Sequence, residues 1–420
     1  MTDTSGRTLD FTARPAALRR RHAAEARFRM AGRLAILLAF GFLVLMLGAI
    51  AHTGTGALKQ TQIRLQVALP ADAPASTDPA KADFGGLLKQ ALRARFPEVS
   101  GRKDKRRLYR LLSIGAEERL REAMLEAPAP GAQERVLTLW LPASDEVDLL
   151  VKHDQPGRLG EQEQRWVAQL RESGEIRVAF NRGFFLNGDS REPELAGIAS
   201  ALAGTAWTLA VCFALSFPIG ILGAIYLEEF ARKGRWSSFI EVNINNLAAV
   251  PSIVFGLLGL AVFLNLFGLP RSSPLVGGMV LALMTLPTII IASRAALRAV
   301  PPAIREAALG IGATRVQTVF HHVVPLALPG MLTGTIVGMA RALGETAPLL
   351  MIGMVAFIVD IPGSILEPAT ALPVQIFLWA DSPERAFLEK TSAAIIVLIT
   401  FLVFMNLIAI LMRMKFRKRF

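Results

Sequence analysis

The stretch that decides the fold is Pro301–Ile352, PPAIREAALGIGATRVQTVFHHVVPLALPGMLTGTIVGMARALGETAPLLMI. Its first half is polar and favours a helix up to two glycines, Gly310 and Gly312. Its second half is apolar and, continued as Pro329–Ile358, is long enough to cross a bilayer as a helix. The two halves predict two roles, a docking helix in the cytoplasm and a membrane span that carries charge.

Arg341 and Glu345 are the charged residues of that span. Counted from Pro329, Arg341 lies about 18 Å into a helix that rises about 1.5 Å per residue, near the middle of a bilayer. An arginine there costs ~2.5–3.5 kcal/mol, so it needs a partner or a wet cavity. Glu345 follows four residues later on the same helical face. One interpretation is an ion pair that only permits packing; the favoured one is a polar site on a transport path, because forked guanidinium donors suit an anion with several oxygens.

Small residues also recur along this span. Gly330, Gly334, Gly338 and Ala342 are spaced four apart and form a ridge on one side of the helix. Such a ridge predicts that another membrane helix packs closely against this one. The pattern concerns packing and says little about chemistry.

The docking half has a recognisable spacing, E-A-A, three residues, G, and a proline thirteen residues beyond the glycine. This resembles the EAA loop of bacterial ABC importer permeases, E-A-A-x3-G-x9-I-x-L-P, although His322 and Val324 replace its I and L. The resemblance implies that the loop seats in a groove of a separate ATPase subunit, whose closure moves the membrane helices. The matching residues are Glu306, Ala307, Ala308, Gly312 and Pro325.

Two further segments narrow the resemblance. Arg341–Pro348, RALGETAP, and Asn245–Gly256, NNLAAVPSIVFG, are similar to the PstA-type permeases of phosphate ABC importers. The resemblance covers about residues 196–420 and hardly reaches residues 52–195. It implies a permease for inorganic phosphate that works with a second homologous permease, two ATPase subunits that hold ATP and Mg²⁺, and an extracytoplasmic phosphate-binding protein. The candidate path residues are Arg341, Glu345, Thr346, Asn245, Asn246 and Ser252.

Composition restricts the class of protein. The chain has 420 residues, of which 52% are hydrophobic, and a mean hydropathy of +0.43, as expected for a membrane protein with room for one soluble domain. The net charge of +12 is concentrated beside apolar spans, which argues against nucleic acid as a partner. The single cysteine, Cys212, precludes an internal disulfide. No phosphate-binding loop of the G-x4-GK[ST] type occurs, so we expect a transport subunit that is not itself an enzyme, holds no cofactor and receives its energy from a partner.

The predicted fold is an all-α polytopic membrane protein of six spans, the type I ABC importer permease fold, with an inserted small α/β extracytoplasmic domain. The spans are Leu34–Ala51, Ala196–Tyr226, Phe239–Phe267, Leu275–Ala292, Met331–Ile358 and Ala393–Met412. The predicted domains are a basic leader 1–33, a first helix 34–51, a linker and α/β domain 52–195, a permease domain 196–412 with its coupling loop 294–328, and a basic tail 413–420.

Orientation follows from the basic residues of the short loops. With the N-terminus in the cytoplasm, the inner segments hold 20 lysines and arginines and the short outer loops hold three. This predicts a bacterial inner-membrane protein, surrounded by lipid, with both termini and the Glu306 loop in the cytoplasm. The α/β domain would then lie outside.

The region 52–195 is the long hydrophilic part of the chain. Ala68–Ala82 reads as a linker rich in Ala and Pro. Periodicity predicts helices over Phe84–Phe96, Ala116–Leu125 and Gln162–Leu170, and strands over Arg135–Leu141, Val147–Lys152 and Ile176–Phe180.

Two other functions remain open on the sequence alone. One is a permease for another oxyanion, namely sulfate, molybdate or phosphonate, since side-chain chemistry alone does not separate these anions. The other is a membrane sensor or scaffold whose extracytoplasmic domain binds a ligand. A sensor needs a cytoplasmic output domain, and the longest predicted inner loop of about 35–40 residues is too short for one.

Overall fold

The computed structural model describes residues 15–69, 83–126, 135–232, 234–355 and 357–416. Most of the predicted linker Ala68–Ala82 and the outer parts of the basic leader and tail lie outside these ranges. The chain divides into two compact units, with the boundary between His52 and Thr53.

Helices predominate along the chain. In order, the α-helices of the described ranges are α1 Pro15–Ala57, α2 Phe84–Arg95, α3 Arg102–Tyr109, α4 Gly115–Glu126, α5 Asp145–His153, α6 Glu161–Glu172, α7 Gly183–Leu186, α8 Ala199–Ile225, α9 Arg235–Ala248, α10 Ser252–Leu258, α11 Pro274–Arg298, α12 Pro302–Gly310, α13 Arg315–Gln317, α14 Val324–Gly344, α15 Ala347–Met351, α16 Leu372–Ala380 and α17 Ala386–Phe416. Wider π-helical turns follow α8, α10 and α13, at Tyr226–Phe230, Gly259–Leu266 and Thr318–Val323. The strands are β1 Lys59–Leu69, β2 Arg135–Pro142 and β3 Ile176–Phe180.

Several of these helices are apolar and long enough to cross a membrane. Among the described residues there are five, with a bent helix pair as a sixth candidate span, which agrees with the six spans that the sequence predicts. The five are Arg19–Ala57, Ala199–Phe230, Pro274–Arg298, Arg315–Gly344 and Ala386–Lys415.

The bent pair is the predicted span Phe239–Phe267. Two helices make up this candidate span, because α9 and the helix Ser252–Leu266 meet at 104°. Pro251 lies at the break with φ −57° and ψ 137°, and it has no N–H with which to continue the backbone ladder of α9. The bend therefore places Asn245 and Asn246 on one helix and Ser252 at the start of the next.

The predicted span Met331–Ile358 is wrong at both ends. The helix runs unbroken from Arg315 through Pro329 to Gly344, so the depth of Arg341 counted from Pro329 does not hold. Glu345 is extended, with φ −83° and ψ 119°, and it ends α14. Arg341 consequently lies in the last turn of its helix.

The predicted ridge of small residues is confirmed as a packing surface. A Cβ atom built on Gly334 would lie 2.2 Å from the Cβ of Ala292, and one on Gly330 would lie 2.6 Å from the Cβ of Ala296. Carbon atoms in contact normally stand about 3.5–4.0 Å apart, so only glycine permits this approach of α14 to α11. The helix that carries Arg341 is thus held closely against α11.

The three strands form one antiparallel sheet of order β2-β1-β3. The predictions of β2 and β3 are confirmed, whereas the central strand β1 was not predicted. Its sequence alternates, with Ile63, Leu65 and Val67 at 0%, 3% and 0% exposure and with polar residues between them. These three pack with buried residues of the helices on that face, and each large buried side chain contributes about 1.5–3 kcal/mol. The predicted helices α2, α4 and α6 are also confirmed.

The predicted strand Val147–Lys152 is wrong, because this segment is helix α5. Ser144 is extended before it, and the helix carries acidic residues in its first turn and basic residues in its last turn, which favours a helix through its dipole. Asp148 and Lys152, four residues apart, form an ion pair along it. The alternation of a few apolar residues was too short to distinguish the two structures.

Candidate functional site

The predicted coupling loop contains a short helix, α12, followed by a tight turn. Pro301 and Pro302 begin it, since proline is favoured at the first positions of a helix. Gly312 has φ +91°, a backbone conformation that residues other than glycine rarely adopt, and it turns the chain into the next helix. The helix and the glycine turn that the sequence predicts are therefore both present.

One side of α12 faces away from the rest of the chain. Glu306 and Ala307 are exposed, and Ile311, just beyond the helix, is 83% exposed. Ala308 is only 5% exposed, and its carbonyl accepts a hydrogen bond from the amide of Ala313 at 3.1 Å. Of the four predicted coupling residues, Glu306, Ala307 and Gly312 thus lie on the surface, while Ala308 packs inside.

A group of ion pairs that the sequence did not predict surrounds the base of α12. Glu228 contacts Arg294 at 3.2 Å and Arg298 at 2.8 Å, and Arg294 also contacts Glu241 at 3.2 Å. Its neighbour Glu229 contacts Arg305 of α12 at 2.6 Å. The sequence did contain a signal for these ion pairs. Two adjacent glutamates directly follow one apolar span, and arginines spaced four apart lie at the end of another.

Arg341 and Glu345 are brought together, as their spacing predicts. The Nε of Arg341 lies 3.5 Å from Oε1 of Glu345, and the two side chains are 47% and 19% exposed. Val337, one turn earlier on the same side of α14, is 57% exposed. The pair therefore lies on an exposed side of α14, and among the described residues the contact to Glu345 engages one of the five guanidinium donors of Arg341.

The break after Arg341 is packed against the break at Pro251. The short helix α15 lies on α10, where a Cβ built on Gly256 would come within 2.8 Å of the Cα of Pro348 and 2.9 Å of the Cβ of Met351. Thr346 precedes α15 and Ser252 begins α10. Two interrupted helices in contact are the arrangement in which transporters commonly build substrate sites.

The positions of Asn245 and Asn246 do not indicate a role for their side chains. Both are exposed on α9, and in the described part of the chain neither side chain forms a hydrogen bond. The side chains of Ser252 and Thr346 are half-buried. A role of these residues in a path stays a prediction.

The α/β domain is attached to α17 through buried charges. Lys152 of α5 contacts Glu389 of α17 at 3.5 Å and donates to the carbonyl of Gly56 at 2.9 Å. His153 and Asp148 complete the group, the first bound to Glu389 and the second to Lys152. The side chains of Lys152 and Glu389 are only 6% and 10% exposed, so removal of either would take one charged contact from a partner that stays buried.

A further buried acid lies between the α/β domain and α8. Glu194 is 9% exposed, and its Oε2 finds no hydrogen-bond partner. Burial raises the pKa of Glu194 above its ordinary value of 4.5, and the nearby Asp145 and Glu192 add to the rise. The folded state therefore keeps this proton longer than the unfolded state, so folding stability is lost as the pH rises from 4.5 towards the raised pKa.

In the described ranges, no three His, Cys, Asp or Glu side chains are placed to hold a metal ion.

Comparison with known proteins gives the family. Residues 216–419 match the binding-protein-dependent transport system inner membrane component family, and residues 15–161 match a domain family of unknown function, DUF3333.

Curated relatives include phosphate permeases. The chain is 32% identical over 235 residues to phosphate transport system permease protein PstA 1 of Mycobacterium tuberculosis, which covers 56% of this chain and 76% of that protein. It is 30% identical over 214 residues to PstA of Yersinia pestis, covering 51% and 71%. Among solved structures, the inward-facing MetNI methionine ABC transporter gives a TM-score of 0.43 at 18% identity over 52% of this chain and 97% of that one, too low to carry an argument. The chain belongs to the inner membrane components of binding-protein-dependent transport systems and is an ABC permease subunit of the PstA type.

Proposed function

We propose that this chain is the permease subunit of an ATP-driven importer of inorganic phosphate and forms the translocation path with a second, homologous permease chain. The observation that carries the proposal is the 32% identity over 235 residues to a PstA phosphate permease. The half-exposed guanidinium of Arg341, at the end of a membrane helix, is consistent with an anionic cargo.

Arg341 would attract phosphate through its forked donors, which match an anion with several oxygens. Glu345, at 3.5 Å, would orient that guanidinium and weaken its hold on the cargo. A path must release what it admits, so a partly neutralised arginine suits transport better than an unopposed one. Thr346, Ser252 and the two asparagines of α9 would offer further hydrogen bonds.

Energy would come from partners. The exposed side of α12, with Glu306, Ala307 and the 83% exposed Ile311, would seat in a groove of an ATPase subunit that holds ATP and Mg²⁺. Ala308, buried beneath, would support that surface, and Gly312 would shape its end. The loop would lie in the cytoplasm, and an extracytoplasmic phosphate-binding protein would deliver the cargo.

The test is labelled phosphate uptake into proteoliposomes that hold the co-expressed complex, with and without ATP on the ATPase side. Excess sulfate, molybdate or phosphonate is added as a competitor. ATP-dependent uptake that ignores all three competitors is the expected result. Uptake blocked by one of them would keep the importer and change its cargo, and no ATP-dependent uptake of any oxyanion by an intact complex would favour the sensor or scaffold.

A further inference from the structure

Glu229 contacts the chain on both sides of the turn at Gly312, and it thereby connects this turn to the end of α8. It belongs to the π-helical turn Tyr226–Phe230 that continues α8. Its carboxylate contacts Arg305 on α12, and its backbone carbonyl accepts a hydrogen bond from Arg315, the first residue of α13. Arg315 also lies over the ring of Phe230, 5.8 Å from its centroid. One residue of a membrane helix thus holds the segment before and after the Gly312 turn.

The contact between Arg305 and Glu229 is a two-pronged one. Nη2 of Arg305 donates to Oε1 at 2.6 Å, and Nε donates to Oε2 at 3.4 Å. The same guanidinium donates to the carbonyls of Val300 at 2.7 Å and Leu297 at 2.9 Å, at the end of α11. Arg305 is therefore bound to α8 and α11 at once, and such fork-shaped pairs fix direction as well as distance.

Burial makes this link stiff. The side chains of Glu229 and Arg305 are 10% and 24% exposed, so water competes for the contact much less than it does at the surface. Beneath it lies an apolar cluster that includes Ile225, Leu297 and Val319. Apolar contacts have no fixed direction and permit sliding, whereas the ion pair does not.

The exposed part of α12 depends on this link for its position. Arg305 faces the rest of the chain, while its neighbours Glu306 and Ala307 are exposed. The guanidinium of Arg305 therefore links the exposed side to α8 and adds to the backbone that joins α12 to α11. Glu228, next to Glu229, forms its ion pairs within the described ranges with two arginines at the end of α11, Arg294 and Arg298.

We propose that Glu229 and Arg305 are positioning residues that make α12, the end of α11 and the end of α8 move as one body. Displacement of α12 by an ATPase subunit is then converted into displacement of α8. The inference rests on the proposed function, because the ATPase is what would move α12. It adds the element that converts docking into movement of the membrane helices.

The test compares phosphate uptake with ATP hydrolysis in the same proteoliposomes. Glu229→Gln and Arg305→Gln should each lower uptake per ATP hydrolysed by about tenfold, within the 5–150-fold range of typical coupling energies. The double variant should be no worse than the poorer single one, since both changes remove the same contact. Arg305→Lys, which keeps the charge and loses the fork, should lie in between. It also serves as a second variant if a Gln variant fails to assemble.

The matched control is Arg298→Gln, which removes a 56% exposed arginine of the neighbouring Glu228 group. It should change the ratio by less than about twofold, as for exposed ion pairs. Co-purified ATPase subunit is measured in every variant. An unchanged ratio of uptake to ATP hydrolysis in both Gln variants would overturn the proposal. So would a parallel loss of ATPase binding, uptake and ATP hydrolysis in all variants, Arg305→Lys included, because that result indicates a purely structural role.

A second readout does not depend on the cargo. Nitroxide labels are placed at Leu222→Cys on α8 and Leu309→Cys on α12, where the native side chains are 58% and 50% exposed; the native Cys212 is buried. The distance between the labels should be the same without nucleotide and with trapped ADP–vanadate, and Glu229→Gln should shift or broaden it on trapping. A distance that changes in the unaltered chain, or stays equally narrow in Glu229→Gln, would refute the one-body link. If the unaltered complex takes up no phosphate, the proposed cargo fails, and the label distances still decide the link.

Discussion

Of the three α14 glycines that face α11, Gly334 leaves the least room for a Cβ atom, and its replacement by alanine gives a quantitative prediction. The new Cβ would lie 2.2 Å from the Cβ of Ala292, where contacting carbons need about 3.5–4.0 Å. The two helices must therefore separate locally by about 1.3–1.8 Å. Overpacking of this kind costs about 1–3 kcal/mol, against which alanine gains at most about 1 kcal/mol of helix propensity. We expect Gly334→Ala to destabilise the protein by about 1–2 kcal/mol.

The assay is thermal unfolding of the purified complex in detergent, followed by phosphate uptake. A loss of this size should lower Tm by a few degrees, at about 2–4 °C per kcal/mol for a domain of 150–250 residues. Uptake should fall in parallel, because Arg341 lies in the last turn of α14. Gly338→Ala is the matched control, since the nearest atom to its new Cβ would be an ordinary 3.5 Å away.

A compensating change tests the steric argument directly. Ala292→Gly removes the opposing Cβ and should restore most of the Tm lost in Gly334→Ala. Equal melting of Gly334→Ala and Gly338→Ala would refute the reasoning. Failure of Ala292→Gly to rescue the first variant would refute it as well, since the distance argument names that atom.

Three further predictions concern single charges. Arg341→Gln should lower phosphate uptake by about 10–100-fold, as the loss of ~1.5–3 kcal/mol in charged hydrogen bonds implies, without preventing assembly. Glu306→Lys should uncouple uptake from ATP hydrolysis while the chain stays in the membrane, because it reverses a charge on the exposed side of α12. Glu194→Gln should leave Tm unchanged below about pH 4.5 and raise it above that pH, because glutamine removes the buried ionisation that burial disfavours.

Each of these has a control and a contrary outcome. Normal uptake in Arg341→Gln would reduce Arg341 to a packing role, with Arg341→Lys measuring how much charge alone supplies. Unchanged ATP-driven uptake in Glu306→Lys would remove the docking hypothesis. Glu172→Gln, on the exposed surface of α6, is the control for the loss of one carboxylate; a Tm for Glu194→Gln that matches it at every pH would contradict the burial argument.

The sequence predicted features that depend on near neighbours. The pairing of Arg341 with Glu345 and the packing ridge of α14 both follow from a spacing of four, and both are present. The helix and turn of the coupling loop follow from helix propensity and from Gly312. These signals are local, so tertiary structure did not need to be known.

Features set by distant contacts were not predicted. The end of α14 at Gly344 is different, because Pro348 has no N–H to bond the Gly344 carbonyl and the apolar run obscured this local signal; the segment that follows packs on α10 around Gly256. Glu229 and Arg305 are 76 residues apart, and no periodicity connects them. The strand β1 was the exception, since the alternation of Ile63, Leu65 and Val67 was visible in the sequence.

The buried charges that attach α5 to α17 also bear on the order of biosynthesis. Lys152 needs Glu389, which is made 237 residues later. At about 5–20 residues per second, the ribosome needs roughly 10–50 s to reach it. During this interval the sheet and its helices have their own hydrophobic core, and Lys152 has Asp148 and the Gly56 carbonyl as partners but lacks its contact to α17. Synthesis of the final helix thus completes the attachment of a domain near the start of the chain, and a nascent chain stopped before Glu389 should hold that domain folded but unattached.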